Sequence, residues 1–351
     1  MNLIIGSTPR TGETPHCAPG ALFISKASKI IFRGFLHLRQ YRLSYASGEH
    51  TLVFNLKQGL NQLSNQVKQY NKTPCSTADL LTRLKSKNLH VPDDNKALHA
   101  LNTIGYYRLL IYMRPLQDTH KQFIPGTDFD QILNLYSFDR HLRLLCLNAI
   151  EKIEVALRAA IINKLAVVHG AHFYNESRHY SNISSFKEFM GAAQKASYLA
   201  IDHYYKNYNT PSLPPIWAIS EAITYGTLSR FYSTLHIKNQ KLVAAEFGFN
   251  YETLISWFRS LNVIRNMCAH HNRLWNSAIF VDQPSSKKEL KAEIQNSTTF
   301  YARAVVIWGL LKKIDPNSTW HTELKNLINT HQINAQSMGF PTGWDSRPFW
   351  N

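Results

Sequence analysis

Hydrophobic residues recur at three- and four-residue steps along most of the chain from residue 77 onward, which is the period of a helix that faces a core. The longest such segment covers about residues 130–168, and its apolar stripe consists of Leu142, Leu145, Ala149, Ile153, Ala156, Ala160 and Ile161. No segment shows the alternation of apolar and polar residues that marks a half-buried strand. The pattern therefore predicts an all-α protein.

Polar and turn-forming residues divide this helical region into separate elements. Ser76 offers a side-chain cap for a first helix, and Asp93, Asp94 and Asn95 precede a second one. Further helices are predicted over residues 216–235, 239–247, 251–274 and 298–314. No helix is assigned to the polar aromatic stretch 169–208. The aromatic tail around residues 338–350 is predicted to be irregular and to pack onto the body of the protein.

Residues 1–70 differ from the remainder, residues 71–351, which are predicted to form the helical domain. The opening stretch contains turn-forming residues and is predicted to be a poorly ordered basic extension. Residues 21–45 allow a short basic amphipathic helix, similar to a membrane-surface helix or a transit peptide. A translated upstream region without selected structure is the alternative, and no function is assigned to the extension.

The charge and cysteine content narrow the class of protein. The net charge is +16; the extension has eight Lys/Arg and two acids and so carries +6 of it, which leaves +10 on residues 71–351. Such an excess favours polyanionic partners, either nucleic acid or an acidic membrane surface. The four cysteines lie too far apart for a zinc motif and are few for a disulfide scaffold, so a reducing cytoplasm fits best. No apolar run approaches the roughly 18–20 residues of a membrane span.

The predicted helix over residues 251–274 carries the candidate chemistry. Steps of 100° place one buried side on it, formed by Leu254, Trp257, Phe258, Leu261, Ile264 and Cys268. Arg265 lies at the edge of that side and needs a carboxylate or a phosphate as partner. Glu151, Glu154 or an RNA phosphate could fill that role. Asn266 and His270, four residues apart, share a different face, and His271 points elsewhere.

These residue types suit the cleavage of RNA. RNA carries its own nucleophile, the ribose 2′-hydroxyl, so a nuclease needs a base, an acid and positive charge for the developing phosphorane. His270 can act as base or acid near neutral pH, and Arg265 supplies a fixed charge. The two lie about 140° apart around their helix. Two copies facing each other across a twofold axis would bring two of each together, so a homodimer is expected.

The longer run that contains this segment resembles the signature of the Abi-like family of bacterial abortive-infection proteins (AbiD/AbiF type). It reads Arg265-Asn266-Met267-Cys268-Ala269-His270-His271-Asn272-Arg273-Leu274-Trp275-Asn276. Residues 102–109, 138–143, 149–158, 225–230 and 338–341 also resemble motifs of that family, in the same order. Because several motifs agree, the resemblance is more specific than one hexapeptide, and it covers about residues 70–351.

The resemblance implies membership of the HEPN superfamily, whose helical bundles carry an Arg-x(4–6)-His pattern with a polar residue after the arginine. That pattern corresponds here to Arg265, Asn266 and His270, with His271 as the adjacent alternative. The resemblance further implies metal-independent RNA cleavage at a homodimer interface, without a cofactor, switched on by phage infection. Some HEPN proteins have lost the motif and only bind RNA, whereas this chain keeps it.

Other residues are candidates for contact with RNA. Tyr106 and Tyr107, beside Arg108, could stack on bases, and packing of their rings is the alternative. The remaining candidates are basic residues of the central helix and of the signature run, namely Arg140, Arg143 and Arg273. Asp139, Arg140 and Arg143 could line an RNA groove, and the other interpretation is pairing along the helix, with Asp139 and Arg143 one turn apart.

Two groups of residues are interpreted as supporting structure or as chance. Glu151, Glu154 and Arg158 are predicted to form ion pairs on the central helix. A zinc site built from Cys268, His270 and His271 is rejected, since their spacing on a helix directs them to divergent faces.

Two further functions stay open on the sequence. One is a non-catalytic RNA-binding protein that works as a ribonucleoprotein with a small non-coding RNA, or as a component of a toxin–antitoxin pair. The other is a nucleotide-handling toxin partner whose motif acts on something other than RNA.

Overall fold

Twelve α-helices of at least seven residues, and no β-strand, make up the residues that the computed structural model describes, 71–286 and 290–351. The prediction of an all-α protein is confirmed. The extension 1–70 lies outside the described residues. In chain order the helices are α1 Thr77–Lys85, α2 Asp94–Thr103, α3 Tyr106–Met113, α4 Phe129–Ile161, α5 Ile183–Gln194, α6 Leu199–Asn207, α7 Ile216–Ala222, α8 Tyr225–Thr234, α9 Ile237–Phe247, α10 Tyr251–Ala269, α11 Phe300–Ile314 and α12 Trp320–Thr330.

The 33-residue helix α4 is the central element of the fold. Its start is fixed by a capping box, in which Asp128 accepts a hydrogen bond from the backbone N of Gln131 at 2.7 Å. After Ile161 the helix continues through a π-helical turn, Ile162–Ala166, and ends before Gly170, whose φ is +91°. Helices α3, α10, α11 and α12 all pack against α4. The candidate residues of α3, α4 and α10 therefore lie on helices that are in contact.

The predicted long helix over residues 130–168 is confirmed, whereas the bounds of the four helices predicted after it are corrected. The helix predicted over residues 239–247 begins at Ile237. The segment 216–235 contains two helices, because Ile223 and Thr224 are extended and Thr224 caps α8 with its side chain. The helix predicted to reach residue 274 ends at Ala269. The last predicted helix begins at Phe300 and not at residue 298.

Four helices were not predicted as separate elements, and the first of them, α3, is separated from α2 by Gly105, whose φ is +91°. Helices α5 and α6 lie within the polar aromatic stretch, where α5 buries only Phe189, Met190 and Ala193 and α6 only Ile201 and Tyr204. Two or three apolar positions in a helix give a weak periodic signal. Helix α12 buries Trp320, Leu324 and Ile328 at four-residue steps, so its signal was present in the sequence.

Helix α4 is too polar to be a membrane span, as its alternating charges indicated. The same holds for every helix over the two described ranges, since none is both long and apolar enough to cross a bilayer.

Candidate active site

Helix α10 separates into a buried side and an open side. The predicted buried stripe is confirmed, since its six members are all buried, together with Thr253 and Ser260. On the other side, Asn262 and Arg265 are half-buried and Asn266 and His270 are exposed. We call these four residues the open face of α10.

Arg265 has no side-chain hydrogen bond or ion pair among the described residues. Glu151 and Glu154, the carboxylates considered as its partner, do not pair with it. Glu154 pairs with Arg158, as predicted, at 2.5 Å, and Glu151 is exposed and makes no ion pair in the described part of the chain. Arg158 also donates to the backbone O of Ser220 at 2.8 Å, so this pair fastens α7 to α4. A half-buried guanidinium without a protein partner is available for an anion.

Asn266 and His270 lie next to each other on the open face. The backbone N of His270 donates to the backbone O of Asn266 at 3.0 Å, which keeps His270 in register with the last helical turn. Both side chains are exposed, and neither has a hydrogen-bond partner among the described residues. The adjacency predicted from the four-residue spacing is thus present.

His271 ends the helix in a left-handed conformation. Its φ is +58°, its backbone N donates to Cys268 O at 3.1 Å, and the backbone N of Asn272 donates to Met267 O at 2.7 Å. This pair of bonds is the Schellman motif, which usually places glycine at the left-handed position. Because the chain reverses here, the signature run continues as a loop that leaves the open face.

The loop over residues 271–276, here called the anchored loop, is held by residues of α3. Arg108 donates from Nη1 to the backbone O of His271 at 2.5 Å. Arg273 donates from Nη1 to the backbone O of Ile111, and its guanidinium lies 5.7 Å from the ring centroid of Trp275. Two arginines considered for RNA contact therefore bind backbone carbonyls. Burial lowers the pKa of Arg273, and nearby Asp139 opposes that shift.

Asp139 of α4 holds the same loop through its backbone N atoms. Its Oδ1 accepts hydrogen bonds from the backbone N of Leu274 at 2.9 Å and of Trp275 at 2.6 Å. Its Oδ2 accepts from the Tyr112 hydroxyl at 2.6 Å and from Arg143 Nη1. Burial and the Asp139 charge raise the pKa of Tyr112, which stays a protonated donor. One buried carboxylate thus joins α3, α4 and the anchored loop.

The other RNA-contact candidates fall into exposed and buried groups. Arg143 is 5% exposed and its ion pair with Asp139 is confirmed, so it offers no surface to a nucleic acid. Tyr106 is buried at 8% exposure and packs edge-on against Tyr107 with ring centroids 5.7 Å apart. Tyr107 is 61% exposed, and Arg140 is exposed without an ion pair in the described ranges. Tyr107 and Arg140 are thus the exposed members of the six, while Arg108 and Arg273 are half-buried and already bound to backbone carbonyls.

A cleft of about 330 Å³ opens along the open face, between α5, α8 and α10. It is lined on the α10 side by Asn262, Arg265 and Asn266. The first residues of α8 and one face of α5 supply Thr224, Gly226, Thr227, Arg230, Ser185, Glu188, Phe189 and Ala192, among others. Residues 225–230, a predicted family motif, therefore face the candidate catalytic arginine. Asn262 was missed, although its position three residues before Arg265 put it on the same face.

No cluster of metal-binding side chains stands beside the open face. Over residues 71–286 and 290–351, no group of three or more His, Cys, Asp and Glu residues is placed to hold a metal ion. Cys268 lies on the buried side of α10 in contact with Cys146 of α4, and burial raises the pKa of the Cys146 thiol. The open face instead provides the guanidinium of Arg265 and the imidazole of His270.

A comparison with known proteins agrees with the convergence of these motifs. A family model described as Abi-like protein matches residues 99–276, which extend from α2 through the anchored loop. No curated protein and no solved structure gives a significant match. The matched region contains Arg108, Asp139, the cleft and the whole open face.

Proposed function

Because the chain belongs to the Abi-like protein family, we propose that it acts in abortive infection, a phage-defence response, as a metal-independent endoribonuclease of HEPN type. The observation that carries the proposal is the state of Arg265. This arginine is half-buried and unpaired among the described residues, beside exposed Asn266 and His270. A guanidinium left free at that position, in a protein of net charge +16, suits a phosphate of RNA.

Each residue of the open face has a role in the proposed reaction. One His270 takes the proton of the ribose 2′-hydroxyl, whose oxygen then attacks the adjacent phosphorus. Arg265 stabilises the negative charge that develops on the phosphorane oxygens. The 5′-oxygen leaves and takes a proton from a second, protonated histidine. The products are a 2′,3′-cyclic phosphate and a free 5′-hydroxyl, and Asn266 orients His270 or donates to the phosphate.

The second histidine is supplied by a second copy of the chain. Arg265 and His270 are five positions apart, about 140° around an ideal helix, so one chain presents them to a single phosphate at an awkward angle. Both His270 and Asn266 are exposed on α10, as an interface requires. A homodimer with the two open faces opposed would provide one histidine as base and the other as acid.

The test is RNA decay by purified protein, measured next to the variants Arg265→Ala and His270→Ala. We expect each variant to lose about 10²–10⁴-fold in rate, the usual contribution of an acid–base or charge-stabilising group. A substrate with 2′-deoxyribose at the cut position should stay intact, because the nucleophile is missing. Activity should persist in EDTA.

Three results would contradict the proposal in different ways. Equal decay of RNA by wild type and both variants would remove the assignment to these residues. Loss of activity in EDTA would contradict the metal-independent mechanism. Tight RNA binding without any cleavage would favour the alternative, a ribonucleoprotein built on a small non-coding RNA.

A further inference from the structure

We propose that the cleft between α5, α8 and α10 is the subsite for one unpaired nucleotide of the RNA strand, with Asn262 contacting the base and Arg265 the adjacent phosphate. The inference rests on the proposed function, since it takes the ligand of Arg265 to be a phosphate of RNA. It adds a substrate class, single-stranded RNA, and a recognition residue outside the signature run.

The first support is the row of unused polar groups along one wall. Asn262, Arg265 and Asn266 stand at positions i, i+3 and i+4 of α10 and all line the cleft. None of the three has a side-chain hydrogen bond or ion pair among the described residues. A half-buried amide has two donors and an acceptor to satisfy, and the edge of a base offers the matching groups.

The second support is the mixed character of the other walls. Phe189 and Phe231 stack at 4.0 Å between ring centroids and form an apolar floor, while Ser185 and Thr227 bring hydroxyl groups. At the rim, Arg230 pairs with Glu188, which leaves the charge of Arg265 uncompensated within the cleft. An apolar floor, a polar wall and one net positive charge match the three parts of a nucleotide, namely base, ribose and phosphate.

The third support is Gly226, which lies in the first turn of α8 and faces Asn262. A Cβ atom at Gly226 would lie 3.0 Å from Asn262 Oδ1 and 3.3 Å from its Nδ2. Glycine inside a helix costs roughly 0.5–1 kcal/mol relative to alanine. The glycine keeps the space in which the Asn262 amide lies, so the amide position is maintained at a cost in helix propensity.

The size of the cleft indicates a single unstacked nucleotide. Its volume of about 330 Å³ lies near the lower end of small-molecule sites. A base within a duplex is stacked and paired, and it could not enter a space enclosed by three helices. Proteins usually read RNA bases where the strand is unpaired and the base edges are accessible. A free mononucleotide has the same chemistry, so the experiment must separate the two sources.

The experiment measures binding in the His270→Ala background, where cleavage does not interfere. A short labelled single-stranded RNA containing all four bases is titrated with the full chain, and fluorescence anisotropy gives Kd. We expect Asn262→Leu to weaken binding about tenfold, as loss of a paired amide–base contact does. The matched control is Asn326→Leu on the exposed side of α12, which should leave Kd unchanged.

Gly226→Ala gives a second, independent variant. It should weaken RNA binding, because its Cβ would lie 3.0 Å from Asn262 Oδ1 and crowd the amide, and its melting temperature is measured on the same sample. If Gly226 had only a structural role, RNA binding by the variant would fall only together with its melting temperature. The blunt duplex of the same sequence should bind more weakly than the single strand.

Each outcome supports or overturns the inference. Unchanged Kd in both Asn262→Leu and Gly226→Ala would overturn it, even if Arg265 and His270 prove essential for cleavage. Equal affinity for the duplex would overturn it as well, and so would displacement by free nucleoside monophosphates at the affinity of the strand. If instead the cleft variants weaken binding while wild type cuts no RNA, the subsite stands and the proposed nuclease fails.

Discussion

The open face of α10 and the anchored loop that follows it belong to one continuous run of sequence, yet they use their polar groups in opposite ways. On the open face, Asn262, Arg265, Asn266 and His270 have side chains without a partner among the described residues. In the loop, Arg273 binds a backbone carbonyl, and the backbone N atoms of Leu274 and Trp275 bind Asp139. The change occurs at His271, where φ becomes positive.

The difference separates residues that are free to act from residues that hold the others in place. Three other arginines were considered for contact with RNA, as Arg265 was, but their guanidinium groups bind a carbonyl or a carboxylate. They are Arg108, Arg143 and Arg273. A charged side chain that is satisfied within the protein stabilises the fold, whereas an unsatisfied one is available to a ligand. Substitutions in the loop should therefore lower stability, and substitutions on the open face should lower activity.

The largest expected effect on stability is at Asp139. In Asp139→Ala, Arg143 becomes a buried unpaired charge, and the backbone N atoms of Leu274 and Trp275 lose their acceptor. We expect a loss of about 3–5 kcal/mol in the free energy of unfolding, the typical result of removing one partner of a buried pair. Urea unfolding followed by circular dichroism measures it.

The matched control for Asp139 lies on the same helix. Asp130 pairs with Lys96 at 2.8 Å on the surface, so Asp130→Ala should cost no more than about 1 kcal/mol. Asp139→Asn keeps the shape and one acceptor oxygen, and it should fall between the two if the alanine variant does not fold. A cost at Asp139 as small as at Asp130 would contradict the anchoring role.

Substitution of Arg273 should cost less stability than substitution of Asp139. Arg273 and Arg265 should differ in what is lost, stability for Arg273 and cleavage for Arg265. Arg273→Met removes the bond to Ile111 O, the weaker contacts to Asn276 O and Ser277 Oγ at 3.3 and 3.4 Å, and the approach to Trp275. We expect a cost of about 2 kcal/mol, the range for hydrogen bonds to charged groups. Arg265→Met should change stability by no more than about 0.5 kcal/mol, since no hydrogen bond or ion pair within the described residues is lost and methionine keeps most of the apolar stem.

Cleavage assays complete this pair. Arg265→Met should lower the rate of RNA cleavage about 10²–10⁴-fold at a nearly unchanged melting temperature. Arg273→Met should keep cleavage at temperatures where the protein stays folded. If Arg265→Met proves as destabilising as Arg273→Met, then the open face is structural and the distinction between the two regions is wrong.

Local patterns in the sequence predicted one part of this arrangement and not the other. The buried stripe of α10, the ion pair of Asp139 with Arg143 and the adjacency of Asn266 to His270 all follow from helical spacing, which needs only neighbouring residues. The bond from Leu274 N to Asp139 joins residues 135 positions apart, and no local pattern contains it. The sequence therefore predicted the candidates and the family resemblance, but not which arginines are already engaged.

The end of α10 shows the same limit. Apolar residues continue past Ala269 to Leu274 and Trp275, so the periodic pattern predicted a longer helix. The bonds of the Schellman motif and the Asp139 carboxylate instead turn the chain. Leu274 and Trp275 are buried although they belong to the loop and not to the helix. Glycine, the usual signal for such an ending, is absent, because His271 occupies the left-handed position.

That histidine provides the prediction with the smallest expected effect. A non-glycine residue in the left-handed region carries strain of the order of 1 kcal/mol. His271→Gly relieves this strain, and the relief is larger than the entropic cost of the freedom that glycine adds to the unfolded chain. We therefore expect a net stabilisation of about 0.5 kcal/mol. His270→Gly, one residue earlier at φ −91°, relieves no strain and should be destabilising by about 0.5–1 kcal/mol.

Thermal unfolding of the two glycine variants measures these opposite signs, and a cleavage assay on the same samples identifies the working histidine. We expect His270→Gly to lose cleavage and His271→Gly to keep it, because only His270 stays in register with Asn266 on the open face. If His271→Gly is stabilised yet loses cleavage, then the strained residue is the catalytic one. The left-handed turn would then direct a side chain into the site, and the boundary between the open face and the anchored loop would lie one residue later.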